Sequence, residues 1–350
     1  MDVAIRDDDL KQQLEKARGA PGYQTLVRLL EKTQAERDAE RLLSPVERRR
    51  VETRKMLQAE KLEDEDRHHI HSVLALCGLP YRRPSDPGQD VYVRRYGKNS
   101  LLIQAGYLED PISGQHVHQG LPYGPKARLL LLHICTMAIR QKSPEIEIAD
   151  SMSAFIRELG FPVTGGKKGT LPQFKEQLNR LAASRMQIGL WRGDRQTTIK
   201  TQAIGAFDVW LPNNADQKML WASTLRLDEK FYQSLREHAL PVDIRVVQAF
   251  SQSARQMDLV LWLGYRLRSL DRRYVINWET LQAQFGSELS RARRFREEFR
   301  DDLAAVLEVF PKLPAQVTDQ GLMLSPCAPE ELFVPTARNV QARIRASSSD

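Results

Sequence analysis

The stretch TGGKKGTLPQFKEQLNRLAASRM, residues 164–186, joins a glycine-rich turn to an amphipathic segment. It could be either a nucleotide-binding loop or a loop that leads into a DNA-binding helix, and the two interpretations predict different proteins. A nucleotide-binding P-loop needs G-x-x-x-x-G-K-[ST] between a strand and a helix. Counting from Gly160, Gly166 occupies the position of the lysine, and a shift by one places Lys168 where Ser or Thr would hold magnesium. The segment before Gly160 is predicted to be a helix, so this sequence does not encode a P-loop.

The segment after the turn is predicted to be a helix that reads DNA, with Thr170 as its cap. Its apolar residues Phe174, Leu178 and Leu181 share one face at a period of 3.6 residues. The opposite face carries Lys175, Glu176, Asn179, Arg180 and Ala183. Asn can pair with adenine edges, Arg with guanine and Lys with phosphate, which favours entry into a major groove. An ordinary surface helix is the alternative.

Positive charge is concentrated around this helix. The chain has a net charge of +7 and a pI near 9.3, and residues 164–200 alone hold eight basic residues against two acids. A surface poor in carboxylates is what contact with phosphate requires. The loop, the helix and the segment after it therefore supply the predicted DNA-binding residues Lys167, Lys168, Lys175, Asn179, Arg180, Arg192, Arg195 and Lys200.

The order helix, strand, helix, helix, strand, strand occurs twice along the chain, as in winged helix-turn-helix modules. In the first copy the closing strands are predicted near QIGLW and TIKTQAIGAFDVWL, and in the second near AQVT and LMLS. The segment TLRL is placed between the copies. The predicted fold is α+β and helix-rich, with two tandem winged-helix domains and an N-terminal helical arm. The predicted divisions are the arm at 1–77, the two domains at 78–215 and 216–330, and a disordered basic tail at 331–350.

The long helix of the second copy is a further candidate for DNA contact. Residues 287–302 contain five arginines and five acids, so a solvated helix laced with ion pairs is one interpretation. DNA contact is the other, because Arg293, Arg296 and Arg300 lie on one side of the helix. The apolar residues Phe295, Phe299 and Leu303 lie opposite them.

For two segments, the content of apolar residues predicts whether they lie in the core. The arm is poor in apolar residues and begins a helix at the capping box formed by Ser44 and Glu47. We expect it to lie outside the core and to be dispensable for folding, with His68, His69 and His71 on a solvated helix end. The segment RLLLLHICTMAI, residues 128–139, is expected to be a core helix in which His133 is structural.

Other features exclude several classes of protein. No apolar run reaches the roughly 20 residues of a membrane helix, and the N-terminus lacks the apolar stretch of a signal peptide. The three cysteines are widely spaced, which favours a reducing cytoplasm over a disulfide framework. No metal or cofactor site is predicted.

Three segments of the sequence resemble plasmid replication initiators of the RepA type. They are CGLPYRRP, VYVRRYGKNSLLIQAGY and GLPYGPKARLLLLHI, and the most specific part is LPYGPKARLLLLHI followed by SMSAFIRELG and GGKKGT. The resemblance covers about residues 77–326. It implies a protein that binds repeated double-stranded sites in a plasmid origin, opens the duplex and recruits the host helicase. Self-association is a further expectation, and the family offers no catalytic motif to transfer.

Two other functions remain open. The pair His116 and His118 has the His-hydrophobic-His pattern of rolling-circle nicking initiators, in which a metal polarises the phosphate and a tyrosine attacks it. Tyr123 or Tyr232 would be that nucleophile, although the flanking prolines and glycines predict a loop here. We expect no enzymatic activity. A transcription repressor with the same domains is the second alternative.

Overall fold

The computed structural model describes residues 5–59, 62–86, 88–110, 113–147, 149–165, 169–192, 195–207, 224–268, 270–286 and 291–327. The helices within them are α1 (Asp8–Lys16), α2 (Tyr23–Leu42), α3 (Pro45–Ala59), α4 (Ser72–Cys77), α5 (Gly124–Gln141), α6 (Ala149–Glu158), α7 (Thr170–Ala183), α8 (Glu229–His238), α9 (Ile244–Phe250), α10 (Ala254–Arg268), α11 (Trp278–Phe285) and α12 (Ala292–Val309). The strands within them are β1 (Arg67–His71), β2 (Val91–Tyr96), β3 (Asn99–Gln104), β4 (Tyr107–Glu109), β5 (His116–His118), β6 (Glu145–Glu147), β7 (Arg185–Arg192), β8 (Arg195–Gln202), β9 (Ile204–Phe207), β10 (Thr224–Leu227), β11 (Ala239–Asp243), β12 (Tyr274–Asn277), β13 (Ala315–Val317) and β14 (Gly321–Leu324). The fold is α+β and rich in helix, as predicted. The predicted tail lies outside the described residues.

Two units share one order of strands in their sheets and a similar order of elements. In the first unit α5, β6, α6 and α7 precede the closing strands β9 and β10, with β7 and β8 of another sheet inserted after α7, and the sheet order is β6-β10-β9. In the second unit α10, β12, α11 and α12 precede β13 and β14, and the sheet order is β12-β14-β13. The third strand therefore lies between the other two in both units.

The closing strands of the first unit differ from the prediction. β7, the QIGLW strand, pairs with β3 and β8 in a four-stranded sheet of order β2-β3-β7-β8. The TLRL segment is not a linker, since as β10 it pairs with both β6 and β9. The predicted division between residues 215 and 216 thus falls inside the sheet of the first unit. Alternation of apolar residues located these strands but could not identify their partners.

Side-chain caps fix several helix starts. Ser44 and Glu47 form the predicted capping box, with the Ser44 amide donating to Glu47 Oε2 at 2.8 Å and the Glu47 amide donating to Ser44 Oγ at 3.3 Å. Asp228 accepts hydrogen bonds from the first amides of α8, and Asn277 accepts one from Thr280 in α11. Thr170 does not cap α7 as predicted. Its hydroxyl donates to the carbonyl of residue 162, and Gly169 is the cap residue.

The N-terminal part of the chain is joined to the body, which corrects the expectation of a separate arm. β1 pairs with β11, and α4 is buried along its whole length. α3 packs on α9 and α12, where the Arg50 guanidinium lies 3.1 Å from Glu308 Oε2 and Thr53 is buried. A chain beginning at Gly78 would lose β1 and α4 from the core. The expectation that the arm lies outside the core is therefore wrong for these elements.

The core helix α5 is confirmed, because every residue from Leu129 to Thr136 is buried. The same core contains histidines that were expected in solvent. His68 and His71 belong to β1 and are buried, and His71 Nε2 lies 2.9 Å from Ser234 Oγ. The imidazole of His133 stacks on Phe155 with ring centroids 4.4 Å apart, which fits a structural role.

The two units are connected by a buried ion pair. Arg128 of α5 donates from Nε and from one terminal nitrogen to the two carboxylate oxygens of Asp258 in α10, both at 2.7 Å. The other donors reach the carbonyls of Leu79, Pro80 and Gly124 at 2.6–3.1 Å. All five guanidinium N–H groups are therefore satisfied. A bidentate pair of this kind fixes geometry as well as charge.

We expect Asp258→Asn to lower the free energy of unfolding by about 3–5 kcal/mol, because it leaves the Arg128 charge buried without its counter-charge. Urea denaturation measures the change. Glu308→Gln removes a partly exposed ion pair and is the matched control, with an expected cost below about 1 kcal/mol. Equal effects of the two substitutions would contradict the central role of the buried pair.

The buried histidines predict loss of stability in mild acid. Burial lowers the pKa of His68 and His69 to about 4 and of His71 and His133 to about 3. In the unfolded chain these groups titrate near 6.5. The unfolded state therefore binds more protons as the pH falls below about 6.5, so stability is complete above that pH and declines toward pH 4.

We expect the melting temperature to fall progressively between pH 6.5 and pH 4. His133→Leu should flatten this dependence, since it removes one group that binds a proton only on unfolding. Val117→Ala on exposed β5 is the control, since neither side chain titrates, and it should leave the pH dependence as in the parent. The histidine explanation fails if both variants have the slope of the parent protein.

Candidate nucleic-acid interface

Part of the glycine-rich turn, residues 166–168, lies outside the described residues. Lys167 and Lys168 lie outside the described residues, and so does the side chain of Arg192. Their assignment to DNA binding stays a prediction. Arg195 and Lys200 lie on β8 with exposed side chains, so their positions agree with contact to a ligand.

Arg180 on α7 is buried, which corrects its predicted outward position. Only 6% of the residue is exposed. Its guanidinium donates to the Leu121 carbonyl at 3.1 Å and to Glu176 Oε1 at 2.8 Å, and it lies 5.2 Å from the ring centre of Tyr123. To read a base, this side chain would have to leave all of these partners.

The cover over α7 comes from the segment that contains β4 and β5. Gln177 accepts a hydrogen bond from the Tyr123 amide at 2.9 Å. Gly106 lies so close to the Ala183 carbonyl that a Cβ at residue 106 would collide with it. Ala183, predicted to face outward, is buried, while Lys175 and Asn179 are half-buried. α7 is therefore not an open recognition helix along its length.

Helix α12 has the buried apolar side that its sequence predicts. Phe295, Phe299 and Leu303 are buried, and they hold the helix on α10 and α11. Arg296 and Arg300 are exposed on the other side. Within the described residues, neither of these arginines makes an ion pair. Their charge is therefore available to an anionic ligand.

Trp278 positions the two arginines. The guanidinium carbons of Arg296 and Arg300 lie 5.5 and 5.4 Å from the centre of its ring. The indole N–H donates to the carbonyl of Asp319 at 3.0 Å, so the ring is fixed between α11, α12 and the β13–β14 turn. A cation over an aromatic face is held by the ring quadrupole. Trp278 was not among the residues predicted from the sequence. The signal that could have identified it is its position at the start of α11.

The acids of α12 do not cancel its positive face. Arg255 of α10 binds Glu298 at 2.7 Å and also binds Asp302. Burial raises the pKa of Asp302, and the positive charge of Arg255 opposes that increase. Glu297 pairs with Arg293 at 3.0 Å on the exposed surface. Because two acids point toward α10, the even balance of charge in the sequence becomes an uneven one on the surface.

The histidine pair forms part of a short strand and not the predicted loop. β5 pairs with β4, with Tyr107 opposite His118 and Glu109 opposite His116. His118 Nε2 lies 3.1 Å from Asp90 Oδ1 without hydrogen-bond geometry. Of the two candidate nucleophiles, Tyr232 is buried and Tyr123 lies beneath the Arg180 guanidinium. Among the residues described by the structure, no cluster of three metal-ligating side chains occurs.

The described helices include none that is both long and apolar enough to cross a membrane.

Residues 121–280 match the family model described as plasmid encoded RepA protein. The chain carries a RepA family region. The resemblance predicted from the LPYGPKARLLLLHI segment is thereby confirmed, and it supports a plasmid replication initiator. The RepA region begins at the start of the first unit and ends within α11, so α12 lies beyond it.

No curated protein matches the chain significantly. Among solved structures, the chain is similar to the crystal structure of domain 2 and domain 3 of RctB, with 8% sequence identity and a TM-score of 0.44. That similarity covers 67% of this chain and 85% of the other. At this level of similarity it carries no argument about function.

We expect Arg180→Ala to lower the free energy of unfolding by about 1–3 kcal/mol, because the Leu121 carbonyl loses its charged donor. Asn179→Ala, one residue away and half-buried, should stay within about 0.5 kcal/mol of the parent. Thermal melting of the two variants checks this difference. If Arg180→Ala melts like the parent, the guanidinium is not held by the β4–β5 segment in solution.

Proposed function

We propose that the chain is a plasmid replication initiator that binds repeated double-stranded sites in a plasmid origin. The match of residues 121–280 to the RepA family carries this proposal. Binding would be followed by opening of the duplex and recruitment of the host helicase, with self-association on the repeats. Such a protein would act in the bacterial cytoplasm, where the plasmid is replicated.

We further propose that the two units are winged-helix modules. Supporting this proposal, both units begin with the order helix, strand, helix, helix and end with two strands of the same sheet, and both place the last strand in the middle of that sheet. In the first unit β7 and β8, which belong to another sheet, are inserted before the closing strands. The helix before the closing strands is the one that such modules present to the major groove. That helix is α7 in the first unit and α12 in the second.

Within this arrangement α12 is the better candidate for base recognition. Arg296 and Arg300 are exposed, lack carboxylate partners among the described residues and are oriented by Trp278. An arginine fork can bind the O6 and N7 atoms of guanine with two hydrogen bonds. Arg293 is tied to Glu297 on the exposed surface, and such exposed pairs are weak enough to yield to a phosphate.

The first unit would contribute phosphate contacts more than base contacts. Arg180 is engaged inside the protein, and the other predicted residues of this part of the chain, Lys167, Lys168, Lys175, Asn179, Arg192 and Arg195, are mostly cations. Cations that neutralise phosphates position the protein and make its affinity dependent on salt. Repeated origin sites would then be read chiefly by the second unit.

The proposal includes no covalent step at the DNA, in contrast to a nicking initiator. The covered positions of Tyr123 and Tyr232 support this view. Incubation of the chain with supercoiled origin plasmid and Mg²⁺ or Mn²⁺ distinguishes the two functions. Nicked circles with covalently attached protein would contradict our proposal and would identify a nicking initiator. A repressor is distinguished by its failure to support replication of an origin plasmid when the protein is supplied in trans.

We expect Arg296→Ala and Arg300→Ala each to weaken binding to an origin repeat by about 1–3 kcal/mol, the value of a bidentate base contact. Gel-shift or anisotropy titrations of the repeat and of random duplex measure it, and the loss should be smaller on random DNA. Arg296→Lys should also lose affinity for the repeat, because lysine keeps the charge without the planar fork.

Arg28→Ala on exposed α2 is the control, since it removes one exposed arginine far along the chain from α12. It should bind the repeat like the parent protein. If the Arg296 and Arg300 variants also bind like the parent, α12 does not contact the duplex. If all variants lose the same affinity on repeat and random DNA, α12 contacts phosphates only.

A further inference from the structure

The four-stranded sheet presents a broad face to solvent. Its inner side chains, among them Tyr92, Leu101, Ile103 and Met186, are buried, and α4 packs against β2 and β3. We call the opposite side the open sheet face. It consists of Val91, Val93, Arg95, Ser100, Leu102, Gln104, Arg185, Gln187, Gly189, Trp191, Gln196, Thr198, Lys200 and Gln202, together with Lys98 in the β2–β3 turn.

Register places these residues in rows across the strands. Val93, Leu102, Gln187 and Lys200 are directly opposite one another in successive strands. Residues opposite one another share a face of the sheet, so each such row lies on the surface. The row holding Trp191 is six residues from that of Arg185 along β7, which corresponds to roughly 20 Å at 3.3–3.4 Å per residue.

The charge of the open sheet face has one sign. It contains the four cations Arg95, Lys98, Arg185 and Lys200 and no carboxylate. All four are exposed, and none makes an ion pair within the described residues. Ordinary protein surfaces intersperse both signs of charge, whereas a surface of one sign attracts an oppositely charged polymer. The chemistry of this face therefore fits a polyanion.

An aromatic and aliphatic platform lies among these cations. Trp191 is 36% exposed, and the Lys98 ammonium lies 5.1 Å from the centre of its ring. Val91 and Val93 are exposed on the edge strand β2. Near the centre Gly189 is opposite Ser100, and a Cβ there would collide with the Ser100 hydroxyl oxygen. Residue 189 therefore adds no side chain to the middle of the face, where Gly189 is itself buried.

We propose that the open sheet face binds single-stranded DNA. Unpaired bases stack on exposed aromatic rings, while cations beside the rings follow the phosphate chain. The glutamine, serine and threonine side chains supply donors and acceptors for base edges that are free only in a single strand. A flat face does not enter the groove of a duplex, so this site is separate from α12. The inference goes beyond the proposed duplex binding and does not depend on it.

The test uses the full chain and a fluorescein-labelled oligothymidylate in an anisotropy titration. We expect the parent protein to bind and Trp191→Ala to weaken binding about tenfold, since stacking of one base contributes about 1–3 kcal/mol. Trp191→Phe should recover most of the affinity, because a ring is retained. Arg185→Ala and Lys200→Ala should each lower the salt dependence of binding, by about 0.7 in the log–log slope per phosphate contact.

Tyr274→Ala is the matched control, since Tyr274 is an exposed aromatic residue on β12 of the second unit. It should bind the oligothymidylate like the parent. Duplex binding should be unchanged in Trp191→Ala, and oligothymidylate binding should be unchanged in Arg296→Ala. Each substitution should therefore weaken binding of one form of DNA and leave the other unchanged. Failure of the single-strand proposal can thus be distinguished from failure of the duplex proposal.

The proposal is wrong if the parent protein does not bind the oligothymidylate, or if Trp191→Ala binds it as tightly as the parent. Sedimentation of the same variants addresses a second copy of the chain as the occupant. A change of oligomeric state in Trp191→Ala, with binding of the oligothymidylate unaltered, would assign the face to self-association instead. Thermal melting confirms that each variant is folded.

Discussion

The bidentate contact between Arg128 and Asp258 is the constraint on which the arrangement of the two units depends. It lies between α5 and α10, the first helices of the two units, and both residues are buried. A charge in such a place is tolerated only if its donors and its counter-charge are all satisfied. The carbonyls of Leu79 and Pro80 complete this requirement, so the chain entering the first unit must follow one path.

That path also restricts the residues beside it. Gly78 has a φ of +67°, which is rarely adopted by other residues, and a Cβ there would collide with the Asp258 carboxylate. The segment Gly78–Tyr81 therefore passes close to the ion pair, and the ring of Tyr81 lies 5.1 Å from the Arg128 guanidinium. With α5 and α10 fixed, β1, β6 and α7 pack on α5, and α4, α9 and α12 pack on α10.

The sequence was sufficient for features that depend on neighbours in the chain. The capping box at Ser44 and the apolar side of α12 arise from spacings of three or four residues, and the burial of α5 follows from a run of consecutive apolar residues; all three are present in the structure. The order of elements in the second unit was likewise predicted from the sequence, whereas in the first unit the closing strands were assigned to the wrong segments. Local spacing determines which side of a helix is apolar, and it does so whatever the tertiary contacts are.

Features that depend on distant parts of the chain were not readable. A helical wheel assigns Arg180 to solvent because it is polar, but a segment some 60 residues earlier returns to cover it. In the same way β7 was assigned to the nearest strands in sequence, while its partner β3 precedes it by more than 80 residues. The buried histidines of β1 also depend on pairing with β11, which lies about 170 residues away. Loop closure over such distances leaves no local pattern.

The basic run of residues 164–200 illustrates how one sequence signal is divided by the fold. Arg180 is used inside the protein, where it holds the segment over α7. Arg185 and Lys200 emerge on the open sheet face, beside Arg95 and Lys98 from an earlier part of the chain. Helix α12, with a balanced composition, gains a positive side because Arg255 draws two of its acids inward. Net charge along the sequence predicts an anionic ligand, whereas the distribution of that charge over separate surfaces is decided by long-range packing.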